Sequence, residues 1–166
     1  FSEVRQYLNG LRDQGVKDLR VYLKEHPEAV LACQMRFKVL DVNRACLQLY
    51  KAGSKEELLN SLGKVFGEGI GEYFYDEMDA ISEARKDFEC EFVNYKLTGE
   101  PMDIHLTWTV QPDVASPWDR VILASVDITQ EIEYLRQVKL LTSAASAIEK
   151  STYEPEMIEP VAARTD

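Results

Sequence analysis

The chain has 166 residues, 45% of them hydrophobic, with 29 acidic side chains against 19 basic ones and a formal charge of −10. That is enough apolar material for one folded core with extensions, which excludes a disordered chain. So acidic a composition argues against nucleic acid or an anionic membrane face as a partner, and no apolar run is long enough to insert in a bilayer.

No secretory signal pattern opens the chain, which starts at Phe1 and stops at Asp166. It is expected to be a piece of a longer cytoplasmic protein, whose parent could still be membrane-anchored. Cys33, Cys46 and Cys90 lie far apart among apolar neighbours. Zinc sites need closely spaced pairs, so the expectation is three buried thiols in a reducing compartment.

Val4, Leu8 and Leu11 fall on one helical face, and Gly15 breaks that helix. A second helix is predicted over Val16 to Glu25. Pro27 then starts a third, since its missing N–H would be unpaired there anyway. His26 stands at the boundary between them and reads as a capping or surface residue. The apolar run Lys38 to Val42 predicts a strand. Asn43 caps the next helix, which carries Ala45, Cys46, Leu49 and Tyr50. Ser54, three before Glu57, caps another.

Gly63, Gly67, Gly69 and Gly71 predict a flexible connector. It lacks the Lys-Ser/Thr and the preceding strand of a phosphate loop. A longer helix is expected from Gly71 to Lys86. Ile70, Phe74, Met78 and Ile81 form its apolar face, and Glu72, Glu77 and Glu83 point elsewhere.

Three strands complete the core. Phe88, Cys90 and Phe92 alternate with Glu89 and Glu91. Thr98 to Pro101 is a turn, and Met102, Ile104, Leu106, Trp108 and Val110 then alternate with polar residues, His105 among them. Pro112 to Asp119 is a loop. Val121 to Val126 is apolar at nearly every position, as expected of a central strand covered on both sides. Helices should gather on one face of this antiparallel sheet, with the leading helix or a partner on the other. Asp127 and Thr129 can cap a final helix bearing Ile132, Leu135, Val138, Leu141, Ala145 and Ile148, a coiled-coil-like seam.

Two stretches carry a family resemblance. Asp41, Asn43, Ala45, Tyr50, Ser54, Glu56, Glu57 and Leu58 stand where PAS domains commonly read D-x-N-x-A, an aromatic, a serine and E-E-L. Val126-Asp127-Ile128-Thr129, followed by Glu131 and a charged helix, resembles the D-I-T exit of PAS domains in signalling proteins. The run Leu11 to Arg20, with Tyr22-Leu23 and His26-Pro27-Glu28, is similar to a lead-in found in some bacterial signalling proteins of this kind.

The resemblance implies an α+β fold. It comprises a helical lead-in at 1–34, a PAS-like core at 35–129 with an antiparallel sheet and short helices on one face, an exit helix at 130–150 and a linker at 151–166. The family's first strand would lie within Ala32 to Phe37 or be shortened. A ligand cavity would be lined by Phe74, Met78, Ile81, Cys90, Phe92, Leu106 and Trp108, suited to a small apolar ligand. Asp127 and Thr129 would couple the core to the exit helix. That helix would act on an output domain in the same chain, such as a histidine kinase of a phosphorelay or a nucleotide cyclase. A homodimer is expected, with Val4, Leu8 and Leu11 at one end and Ile132, Leu135 and Val138 at the other as its seam.

The sequence names no cofactor. Cys46 stands in Asn-Arg-Ala-Cys-Leu-Gln, whose order does not match the flavin-attachment motif of photosensory relatives, and neither histidine occupies a haem-ligating helical position. Two other classes stay open: an assembly module of the same fold without a ligand, and a small α+β enzyme with a cone-shaped polar cavity.

Overall fold

The protein is described from a computed structural model over residues 1–67, 71–111 and 117–152, with side chains described as far as residue 148. The chain divides into two units, residues 1–129 and residues 130–166. The first is a mixed α+β unit of short helices and one antiparallel sheet. The second begins with a long helix.

Among the described residues of the first unit there are seven α-helices: α1 (Ser2–Asp13), α2 (Leu19–Glu25), α3 (Pro27–Gln34), α4 (Arg44–Leu49), α5 (Lys55–Asn60), α6 (Leu62–Phe66) and α7 (Glu72–Ser82). Their starts are set by local chemistry. The Asp18 carboxylate accepts from Val21 N at 3.0 Å, so α2 begins three residues later than its apolar pattern suggests. Pro27 occupies the first turn of α3. Asn43 Oδ1 accepts from Cys46 N at 2.9 Å, and Ser54 Oγ from Glu57 N at 3.1 Å. Glu57 closes the second cap by accepting from Gly53 N, one residue earlier than in the usual reciprocal box. The predicted connector contains α6, which Gly67 ends with φ +67°. A Cβ there would lie 2.5 Å from the Tyr95 ring. Gly63 lies within α6 and Gly71 is the N-cap of α7, while Gly69 and Ile70 fall in 68–70, outside the described residues.

The sheet has the order β1 (Asp87–Tyr95), β2 (Pro101–Val110), β3 (Val121–Asp127), all antiparallel. Phe88 pairs with Trp108 and Trp108 with Leu123, which puts these three side chains on one face. Met102, Ile104, Leu106, Trp108 and Val110 are buried on that face of β2. On the other face Glu91 lies opposite His105, and the ring nitrogens come within 3.9 Å of Glu89 and 3.7 Å of Glu91. The predicted loop before β3 includes residues 112–116, which lie outside the described residues, and a 3₁₀ turn at Pro117–Asp119.

Four expectations are corrected here. Lys38 to Val42 forms no strand, and Ala32 to Gln34 belongs to α3, so no first strand precedes it. Strand propensity needs a ladder partner to act on. Instead Asp41 pairs with Lys55 at 2.5 Å and Lys38 pairs with Glu3, while Val39 and Leu40 stay exposed. Second, β3 is an edge strand whose apolar residues are largely exposed, because its far side is not hydrogen-bonded to any strand of the described chain. Third, the leading helix does not cover the outer sheet face. It packs within the helical layer, and Phe1 meets Trp108 from the core side at 5.5 Å between rings. Fourth, Val4, Leu8 and Leu11 are buried in this chain's own core and are not open to a partner.

The core sits between the helices and the inner face of β1 and β2. α7 is its middle element. Arg12 Nη2 donates to Ser82 Oγ at 2.9 Å, joining α1 to α7. Arg20 pairs with Asp76 and with Glu72 at 3.1 Å, and Lys24 with Glu72 at 2.8 Å, joining α2 to it. These exposed pairs orient the helices but contribute little stability. The burial beneath them contributes most.

Candidate functional site

Two places in the first unit gather groups capable of more than packing. One is the interface of α7 with the sheet. Phe74, Met78 and Ile81 descend from α7 onto the inner face of β1 and β2, where Cys90, Phe92, Leu106 and Trp108 stand. Phe74, Met78, Ile81, Leu106 and Trp108 are buried there, and Cys90 and Phe92 are half-buried against them. Met78, Ile81 and Trp108 have no exposed surface, and Phe92 stacks on Tyr73 at 4.2 Å. Trp108 is the hub. Its ring meets Phe88 at 5.7 Å, Phe1 at 5.5 Å and Trp118 at 6.0 Å.

The polar end of that hub was not predicted. Trp108 Nε1 donates to Glu77 Oε1 at 3.1 Å. Burial pushes the Glu77 carboxyl up to about 7, and the indole hydrogen bond pulls the other way without cancelling it. Glu77 was expected to face away from the core. It stands three residues after Phe74 and four before Ile81, so it shares their helical face, and that spacing was the missed signal. Tyr73 and Cys90 feel its charge. Burial raises both, and Cys90 is pushed up to about 12. A thiol held that far above neutrality is a poor nucleophile. Cys33 is likewise pushed up to about 12 by burial, and Cys46 is also raised; of the three thiols expected to be buried only Cys33 is, Cys46 and Cys90 being half-buried.

Beside this hub lies an open groove of about 740 Å³. Asp76, Asp79, Glu83, Asp87 and Glu89 line it, with Arg85 as the basic counterpart, and Cys90 and Trp108 of the predicted cavity set reach it from the sheet. Its charge disfavours anions. Among the described residues no cluster of three or more His, Cys, Asp or Glu could hold a metal ion, and no helix is long and apolar enough to cross a membrane.

The second place is where β3 passes into α8 (Thr129–Thr152). Asp127 Oδ1 accepts from Thr129 N at 3.0 Å and from the Thr129 hydroxyl at 2.5 Å. Thr129 Oγ1 in turn accepts from Asp103 N at 2.9 Å, and Ile128 N donates to Asp103 O at 2.9 Å. The residues that precede α8 are thus tied to β2 as well as to β3. The hydrogen bonds from Thr129 hold the Asp127 carboxyl below the usual carboxylate range.

A buried polar link joins α4 to β1. Asn94, 2% exposed, donates Nδ2 to Tyr50 Oη at 2.9 Å. Leu97 N donates to Tyr50 O at 3.0 Å. The end of α4 is therefore joined to β1 and to the residues that follow it.

On α8, Ile132 is half-buried, and Leu135, Val138 and Leu141 are exposed. Steps of three residues, as from Ile132 to Leu135 to Val138, rotate around a helix. Tyr134, Val138, Leu141, Ala145 and Ile148 step by four and three alternately, which keeps one stripe straight. Tyr134 lies outside the predicted seam of Ile132, Leu135 and Val138. The predicted linker from residue 153 onward lies outside the described residues.

Comparison with protein-family models and with curated proteins found no match for this chain.

Proposed function

We propose that this chain is a PAS-like sensory and dimerisation module of a bacterial signal-transduction protein. It relays a ligand- or partner-induced change through α8 to an output domain in the same chain. The carrying observation is the Asp127–Thr129–Asp103 junction, which ties the start of the exit helix to two strands of the core. A shift between β2 and β3 would be felt at the first turn of α8. The helix carries a 4-3 apolar stripe suited to pairing with its own copy. A stimulus must bind two packings of the core differently to move this equilibrium.

The burial of Phe74, Met78, Ile81, Leu106 and Trp108 favours a second reading, in which the module binds no small molecule and serves only for assembly. The relay reading needs the junction. Asp127→Ala removes a cap whose loss costs about 1 kcal/mol locally. In the parent protein we expect it to weaken output more than stimulus binding. Equal output from the variant and the wild type across a full stimulus range contradicts the relay.

A further inference from the structure

β3 is an edge strand whose core face is incomplete. Leu123 lies opposite Trp108, on the face that is sealed at β2, yet it is 47% exposed. On the other face Ile122 and Val126 are 56% and 55% exposed. The free backbone of such an edge is a template for another strand. Proteins blunt these edges with charge or proline, and between Arg120 and Asp127 this one reads Val-Ile-Leu-Ala-Ser-Val. The opposite edge, β1, carries Asp87, Glu89 and Glu91, so two copies would repel there.

We propose that β3 is completed by β3 of a second copy, paired antiparallel about a two-fold axis at Ala124, so that two three-stranded sheets join into one. This rests on the dimeric relay reading above and names the surface that makes the dimer. A two-fold interface must match itself. In the register that sets Ala124 against the second copy's Ala124, the whole strand from Val121 to Asp127 is used. Ile122 then faces the second copy's Val126 on the outer side, and Leu123 faces its Ser125 on the core side. Asp127 meets Val121, so no like charges stand opposite each other. The small Ala124 side chain leaves room at the axis. The chain's own exposed run, Lys38 to Val42, is the competing occupant, and its ion pairs to Glu3 and Lys55 hold it to α1 and α5 instead.

Single cysteines test the register in the full chain, with the unsubstituted protein and its three native thiols as control. Under mild oxidation Ala124→Cys should give a disulfide-linked dimer. Ile122→Cys and Val126→Cys should not link to themselves but should link to each other when mixed, since directly opposed residues are within disulfide reach. Independently, Ile122→Lys should raise the dimer dissociation constant at least tenfold in sedimentation equilibrium, with an unchanged circular-dichroism spectrum. Failure of Ala124→Cys to link, or its linkage to Val39→Cys within one chain, overturns the proposal. If Ile122→Lys leaves the dimer intact and Leu141→Lys abolishes it, the edge proposal falls and the relay reading stands. A monomer in every form removes both.

Discussion

Trp108→Ala should destabilise the first unit by about 3–5 kcal/mol, the largest single effect expected in this chain. Three things are lost together. The side chain has no exposed surface, so a cavity opens where Phe1, Phe88 and Trp118 now meet it. The aromatic pairs add to the apolar burial. Glu77 loses its indole donor and is left as a half-buried carboxyl without that hydrogen bond. Urea titration read by circular dichroism checks the size. A loss near or below about 1 kcal/mol contradicts the placement of Trp108 at the hub. Trp108→Phe keeps much of the volume and removes the donor, so it should fall between the two.

Glu77→Gln should stabilise the protein at pH 8 by about 1–3 kcal/mol and flatten its pH profile. The sign follows from the raised value. The folded state holds the Glu77 proton up to about 7, against 4.5 ordinarily, so between these values it binds more protons than the unfolded chain. The stabilising contribution is full below the ordinary carboxylate range and is lost as pH rises through about 7. A rise from 4.5 to about 7 would correspond to about 3 kcal/mol, and the solvent contact that Glu77 retains lowers that. Gln keeps an oxygen for Trp108 Nε1 and carries no charge at any pH. Thermal melts of both proteins from pH 5 to 8 should therefore converge at the acid end and separate at the alkaline end. Parallel curves would place the carboxyl in solvent.

The two sites have different pH signatures. Asp127 is held below the usual carboxylate range by its Thr129 hydrogen bonds, so its contribution is present at neutral pH and lost as pH falls through its lowered value. Acid loosens the junction, whereas base loosens the seat of α7.

What was legible in the sequence was local. Asn43 and Ser54 cap helices because a side-chain oxygen two or three residues from a free N–H needs no distant partner. The alternation along β2 survives because one face meets the helical layer along its whole length. The misreadings all depend on what lies beside an element. Val121 to Val126 has the composition of a central strand, but its depth in the sheet depends on whether another strand arrives, and Lys38 to Val42 does not pair with it. The stripe of Val4, Leu8 and Leu11 reads the same whether it meets a second copy or its own core, and α7 is what it meets. Glu77 was given to solvent on residue type, against its helical position. The cavity set was legible as a cluster because all seven residues lie on inward faces. Whether they enclose space depends on the sizes of the side chains that meet.

The open edge of β3 and the stripe on α8 both point to self-association. Native mass spectrometry of the purified chain across a concentration series tests it most directly. A dimer predicts a species of twice the 19.0 kDa chain mass that becomes dominant as concentration rises. A single chain mass at every concentration, with Ile122 and Leu141 unsubstituted, contradicts it.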